Sequence, residues 1–340
     1  MSNFFHNVLV ARFSALGDVC ISIPVLYSVC RAYPDVRFVM LTRSFPAKAM
    51  LQRPENLVVE TPDLKQYGGP MGMRRLAKEL KKKYDIDAMA DLHSVLRTWM
   101  LGAFLRLKGV KVARIDKGRG EKKALVKGKI HRQLTTSHDR YVKVFEALGF
   151  SFNETFDGYH GLQSSIVPQK AETHRWVAVA PFSQHEGKVY PLEKISAVVD
   201  ALAQMPNVTV WLFGGGEKEK NALHPLAEKH ANVHSVPEIE HQFADELALM
   251  AQCDVMLSMD SANMHLAALV GTPVVSVWGA THPYCGFMGW RQSEDNAIQL
   301  DMPCRPCSVF GNKPCRYADY RCLTGIKPEA IIEKIKKIID

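Results

Sequence analysis

Along this chain, short apolar runs rich in β-branched residues alternate with segments of helical period, and the alternation begins afresh half-way. NVLVARF, VRFVMLT, DAMADL (87–92) and VKVARI (110–115) read as strands of a first train. Helical patterns cover residues 18–33, about Val95–Leu107 and Ser137–Leu148, the last closing on Gly149, which suits a left-handed C′ position. Pro24 is expected to bend or shorten the first of these helices. The second train runs WVAVAPF, a helix opened by Pro191, then VTVWLFGGG with a helix from about Glu217 to Lys229. ADELALMAQ, DVMLSMD, SANMHLAALV and PVVSVWG complete it. Strands joined by helices pair in parallel and are covered by helices on both faces. The expected class is α/β, with two doubly wound, Rossmann-like domains. The weakly patterned stretch 151–172 separates them, placing the domains at 1–165 and 172–325. A last helix within 326–340 carries Ile331, Ile335, Ile338 and Ile339 on one face and must dock.

In open parallel sheets ligands bind outside the carboxyl ends of the strands, so the strand-to-helix loops are where chemistry is sought. The first is RFSALGDV (12–19), where Ser14 and Gly17 precede Asp18. Asp18 reads either as a helix cap or as a general base; a helix N-terminus favours its anion and weakens it as a base. In MDSANMHLA (259–267), Asp260 and Ser261 precede a helix whose first N–H groups, around Ala262 and Asn263, can hold phosphate oxygens. His265 lies one turn in, as a packed helix residue or as a second partner of the same anion. Gly214 and Gly215 permit close backbone approach to a ligand, without the spacing of a Walker or dinucleotide fingerprint. PFSQHEGKVYP (181–191) sets Ser183 and Lys188 before a helix, the lysine being a phosphate clamp or a surface residue.

Charge narrows the partner. Lys and Arg number 43 against 35 Asp and Glu. Residues 108–132 alone hold ten basic against two acidic residues, which leaves the rest balanced at 33 and 33. Such a block suits a polyanion: nucleic acid, an anionic membrane face or a phosphorylated substrate; a solvated loop is the alternative. It contains no Phe, Tyr or Trp, which counts against nucleic acid. Arg119, Lys122 and Lys123 lie in it, while Arg97 and the lysines of KELKKKY (78–84) are further basic candidates. No apolar run reaches the roughly 18 residues of a membrane span, and no basic leader precedes an apolar core, so a soluble cytoplasmic protein with reduced thiols is expected. Cys20, Cys30 and Cys253 sit in apolar surroundings, as small core residues do. The tail spacing Cys304-x2-Cys307-x7-Cys315-x6-Cys322 admits a structural zinc, although only the first pair is close; free thiols are the alternative.

RFSALGDVCISIPVLYSV and MDSANMHLAALVGTPVVSVWGATHP, in that order, resemble the N- and C-terminal signatures of glycosyltransferase family 9, the lipopolysaccharide heptosyltransferases. The CRPC…C…C stretch before the final helix recurs in that family too. The resemblance implies a GT-B fold, an N-terminal acceptor domain, a C-terminal donor domain, and a final helix returning to the first. It also implies inverting transfer of a sugar, typically heptose from ADP-heptose, onto a phosphorylated lipopolysaccharide core at the cytoplasmic face of the inner membrane. By that carry-over Asp18 is the base, Lys188 neutralises the donor diphosphate, Asp260 lies near the donor sugar, and Ser261, Ala262, Asn263 and His265 form the phosphate-binding helix start. Ser183, Gly214 and Gly215 complete the expected donor set; Ser14, Gly17, Arg97, Arg119, Lys122 and Lys123 form the expected acceptor set. No catalytic metal or other cofactor is expected. The family often has Gly or Pro where Ala262 and Asn263 stand, and Asp where His282 stands, which leaves the identity of the donor sugar open. The reading from a different class is a nucleic-acid-binding protein using the basic block.

Overall fold

Two parallel sheets form among the described residues, 5–340, of the computed structural model. The first contains β1 (Asn7–Ala11), β2 (Arg37–Leu41), β3 (Leu57–Glu60), β4 (Ala88–Asp91) and β5 (Lys111–Arg114) in the order β3-β2-β1-β4-β5. Val8 stands opposite Phe38 on one side and Ala88 on the other. Its helices are α1 (Leu16–Ala32), α2 (Ser44–Ala47), α3 (Gly69–Tyr84) and α4 (Leu96–Arg106). After α5 (Arg119–Val126), α6 (Ser137–Leu148) packs on α1, β4 and β5. Val8, Leu9, Val10 and Ala11 are all buried, as befits a central strand covered on both faces.

The second sheet holds β6 (Arg175–Ala180), β7 (Val208–Leu212), β8 (Val233–Ser235), β9 (Val255–Met259), β10 (Val274–Val277) and β11 (Ala297–Ile298), ordered β11-β10-β9-β6-β7-β8. Helices α7 (Leu192–Ala203), α8 (Gly216–Ala227), α9 (Phe243–Gln252) and α10 (Ala262–Leu269) connect the strands. The short α11 (Arg321–Thr324) and then α12 (Pro328–Ile339) follow.

In each sheet the chain winds outward from one central strand and then restarts on its other side. The switch points therefore lie between β1 and β4, and between β6 and β9. There the helices leave toward opposite faces and open a crevice at the carboxyl ends.

Several expectations need adjusting. α1 is not shortened at Pro24 but runs on for 17 residues, because every position from Val19 to Cys30 is buried and packing holds the turn that lacks one N–H. The short edge strands β3, β8 and β11 have no counterpart in the sequence reading. One compact unit comprises the chain up to Arg119 together with Thr135–Asp157, and the other comprises Gly120–Leu134 with Gly158–Asp340. Residues 120–134, within the stretch read as the first domain, thus belong with the second unit. There Leu125 and Leu134 cluster with Cys285, and the Leu134 N–H donates to the Tyr284 carbonyl at 3.0 Å. The apolar face of the last helix packs within the second unit. Ile331, Ile335 and Ile339 sit in one core with Val177, Ile195, Val198 and Leu257 of the second unit. Arg175 Nε ties the helix end down through the Ile339 carbonyl at 2.7 Å.

Candidate active site

In the first unit the polypeptide leaves β1 as Arg12-Phe13-Ser14-Ala15 and enters α1. Asp18 is the third residue of that helix and accepts the Ala15 N–H at 3.3 Å. It is both a cap, as one reading of the sequence had it, and the partner of Arg12, whose Nη2 forms an ion pair with its Oδ2. Arg12 is buried and its Nη1 donates to the Leu92 carbonyl at 2.8 Å. Burial works against the guanidinium charge, but Asp18 offsets this and leaves the Arg12 pKa raised. A carboxylate held this way is oriented, while part of its side chain remains open to solvent.

β4 delivers a second group to the same crevice. Asp91, fully buried, accepts the N–H groups of His93 and Ser94 at 3.1 and 2.8 Å and pairs with Arg114 at 2.9 Å. The turn so made brings His93 Nδ1 within 3.3 Å of the Phe13 N–H. Burial first, then Arg12 and Lys117, push the His93 pKa down to about 3. The ring is therefore neutral, with Nδ1 as acceptor and Nε2 carrying the proton. His93 thus offers a hydrogen-bond donor there. Lys117, half-buried, is lowered by burial and by its cationic neighbours Arg12 and Arg119. Cations crowd this crevice, a setting that favours an anionic ligand.

In the second unit β6 ends in the loop bearing Ser183 and a 3-10 turn, Glu186–Lys188. Lys188 Nζ lies 2.9 Å from Asp260 Oδ2, with side-chain exposures of 15% and 5%. The same oxygen accepts Thr281 Oγ1 at 2.8 Å, and the Asp260 carbonyl accepts Ser183 Oγ at 3.2 Å. α10 begins immediately after Ser261, whose side chain does not cap it but meets Ser258 Oγ at 3.2 Å. The first N–H groups of α10, at Ala262 and Asn263, thus stand beside Lys188's partner without a capping side chain. His265 is buried one turn further on.

Close packing places the lysine. A Cβ on Gly311, at φ +74°, would lie 2.6 Å from Lys188 Cγ, and one on Gly187 would lie 2.9 Å from both Ala280 Cβ and the Gly311 carbonyl. Neither position has room for a side chain. Buried Arg305 fixes the neighbouring loop by donating to the carbonyls of Trp278, Gly279, Leu300 and Thr281. His282 is pushed down to about 4 by burial, then by Arg305 and His131. Its Nδ1 accepts the Tyr284 N–H at 3.1 Å, so it carries no charge near neutral pH.

Not every expected residue joins these two groups. The Gly215 N–H already donates to Glu219 Oε2 at 2.7 Å, so the chain's own carboxylate fills the glycine loop that also contains Gly214. Lys122 is buried in the second unit with its Nζ 4.1 Å from the Phe287 ring centroid, a packed cation–π contact where an exposed acceptor contact was expected. Lys123 and Arg119 are exposed, and Ser14, Gly17 and Arg97 are half-buried in the first unit. Cys304, Cys307, Cys315 and Cys322 line one small cavity, as free thiols. Among the described residues no group of three or more His, Cys, Asp or Glu is arranged to hold a metal, so the spacing that admitted zinc is not matched by a ligand geometry.

A family model for glycosyltransferase family 9 (heptosyltransferase) matches residues 73–318. The chain belongs to glycosyltransferase family 9. Its enzyme class is therefore glycosyl transfer. Lipooligosaccharide heptosyltransferase 2 of Campylobacter jejuni is 30% identical over 89 residues, a match spanning 26% of this chain and only 27% of that protein. Lipopolysaccharide heptosyltransferase 3 of Escherichia coli is 23% identical over 301 residues, 84% of either chain. The E. coli heptosyltransferase WaaC with ADP superposes with a TM-score of 0.68 at 20% identity, covering 97% of this chain and 99% of that one. At that identity the likeness establishes the fold, GT-B.

Arg12, His93, Lys117, Thr281 and Arg305 went unassigned in the sequence. Arg12 stood inside the quoted loop, and His93 directly follows a strand. Both were open to the rule that ligands gather at strand ends, once the strand order is known.

Proposed function

We propose that this family 9 enzyme transfers heptose from ADP-heptose onto the phosphorylated inner core of lipopolysaccharide, inverting the anomeric carbon. The observation that carries the reading is Lys188 held on Asp260 beside the uncapped start of α10. A lysine and a row of helix N–H groups are the donors a departing diphosphate needs, and they act most strongly where water is excluded. Asp260, whose Oδ2 holds both Thr281 and Lys188, positions the lysine beside the donor sugar.

Asp18 is the general base for the acceptor hydroxyl. Arg12 pairs with it and orients it, and His93, neutral, is free to donate through Nε2 without competing for the proton. Ser14, Gly17, Arg97 and Arg119 belong with Lys117 on the acceptor side, where the crowd of cations suits a phosphorylated core. The enzyme works at the cytoplasmic face of the inner membrane, as a peripheral protein; no helix among the described residues is long and apolar enough to cross a membrane.

A thermal-shift panel with ADP-heptose, other nucleotide sugars and free nucleotides tests the donor assignment, on wild type and Lys188→Ala. A ligand of the folded state raises the melting temperature by mass action. A rise with ADP-heptose that Lys188→Ala abolishes is expected; a rise with a different nucleotide sugar alone would replace the donor, and an unaffected lysine variant would remove Lys188 from the site.

A further inference from the structure

The outer face of α4 is apolar where a surface helix should be polar. Thr98, Leu101, Gly102 and Leu105 are buried against the first core. On the opposite side of the helix wheel lie Leu96, Trp99, Ala103 and Leu107. Leu96, Trp99 and Leu107 are 71%, 45% and 83% exposed. Leu96 and Leu107 are eleven residues apart, so the stripe runs about 16 Å along the surface. A helix apolar on both sides is normally buried on both sides. Here one side is open.

The charges around the stripe state what covers it. From Leu96 to Lys111 there are four cations, Arg97, Arg106, Lys108 and Lys111, and no acid. α3 packs alongside α4 and adds Arg74, Lys78 and Lys82, spaced four apart on its exposed side. Glu79, the acid of α3, is engaged by Tyr67 at 2.6 Å. A second copy of this chain seated on the stripe about a two-fold axis would bring these cations against themselves. A surface that is apolar at its centre and anionic around it has the opposite property, and that is a bilayer carrying acidic headgroups.

We propose that the outer face of α4, flanked by the α3 cations, is the surface by which this enzyme docks on an anionic membrane, with Leu96, Trp99 and Leu107 in the acyl boundary. The inference rests on the transferase reading for its purpose but not for its physics. α4 starts at the carboxyl end of β4, next to His93, so a chain docked here has its acceptor crevice close to the lipid.

The test is co-sedimentation of the full chain with phosphatidylcholine vesicles, with and without phosphatidylglycerol. Wild type is expected to bind only the anionic vesicles. Leu96→Glu/Leu107→Glu should partition at least about tenfold more weakly, since two inserted side chains become charged. Arg74→Glu/Lys78→Glu/Lys82→Glu should weaken binding and flatten its dependence on salt. Both variants are expected to keep the wild-type melting temperature and turnover on a lipid-free acceptor oligosaccharide, while turnover on vesicle-borne acceptor falls. Equal binding of wild type and the leucine variant, equal binding to neutral vesicles, or a wild-type dimer dissociated by the leucine variant would each overturn the proposal. Vesicle binding lost in both variants, in a chain without transferase activity on any acceptor, would uphold the docking surface and remove the transferase reading instead.

Discussion

Asp260→Asn isolates the electrostatics on which the donor site is built. Lys188 Nζ and Asp260 Oδ2 are 2.9 Å apart and largely shielded from solvent. At an effective dielectric of about 20, their attraction is roughly 6 kcal/mol before desolvation is subtracted. Asparagine keeps an oxygen for Thr281 Oγ1 but leaves the ammonium without its counter-charge. Breaking one side of such a pair costs about 3–5 kcal/mol, because the remaining charge stays desolvated. At about 2–4 °C per kcal/mol for a unit of this size, the melting temperature should fall by at least roughly 6 °C. Because the pair is shielded, high salt should not erase the difference. Calorimetry on wild type, Asp260→Asn, Lys188→Met and the double variant gives the coupling directly. The double variant should recover most of the loss, since it leaves no orphaned charge. Additive losses, or a single variant within about 0.5 kcal/mol of wild type, would refute the reasoning.

Other consequences follow from neighbouring features. Gly311→Ala must move Lys188 and adopt an unfavourable positive φ, so it should lose about 1 kcal/mol or more of stability and weaken nucleotide-sugar binding, measured by thermal shift and titration calorimetry. His282, held near 4 when folded but near 6.5 when unfolded, takes up its proton more readily in the unfolded chain. It therefore subtracts stability as pH falls from about 6.5 towards 4, and His282→Gln should flatten the stability–pH curve in that window, read by denaturant titration at successive pH values. Partly exposed Cys315, lowered overall by backbone N–H groups, should be alkylated first, and buried Cys20, Cys30 and Cys253 last, by timed iodoacetamide labelling and mass spectrometry.

The central strands were legible because β-branched runs bounded by helical periods admit one topology class. β8 and β11, at three and two residues, are too short to carry a period, and they and β3 exist by pairing with a stronger neighbour. The loops holding Asp18, Lys188 and Asp260 were legible for the same reason as the strands, since each follows one. The partners of those residues were not. Arg12 reaches Asp18 within one loop, but Thr281 and Gly311 meet Asp260 and Lys188 only after separate loops stack. Sequence spacing contains no record of such stacking. The basic block misled for a related reason: it spans a strand, a turn and α5, and burial takes Lys122 out of solvent while leaving Lys123 in it.

The most direct test of inverting transfer with Asp18 as base is the anomeric configuration of the product, read by NMR after incubation with ADP-heptose and a core acceptor, for wild type and Asp18→Asn. Inversion is expected, with turnover in Asp18→Asn reduced by about 10²–10⁴ while donor-induced thermal stabilisation persists. Retained configuration, or an Asp18→Asn enzyme within a few-fold of wild type, would contradict it.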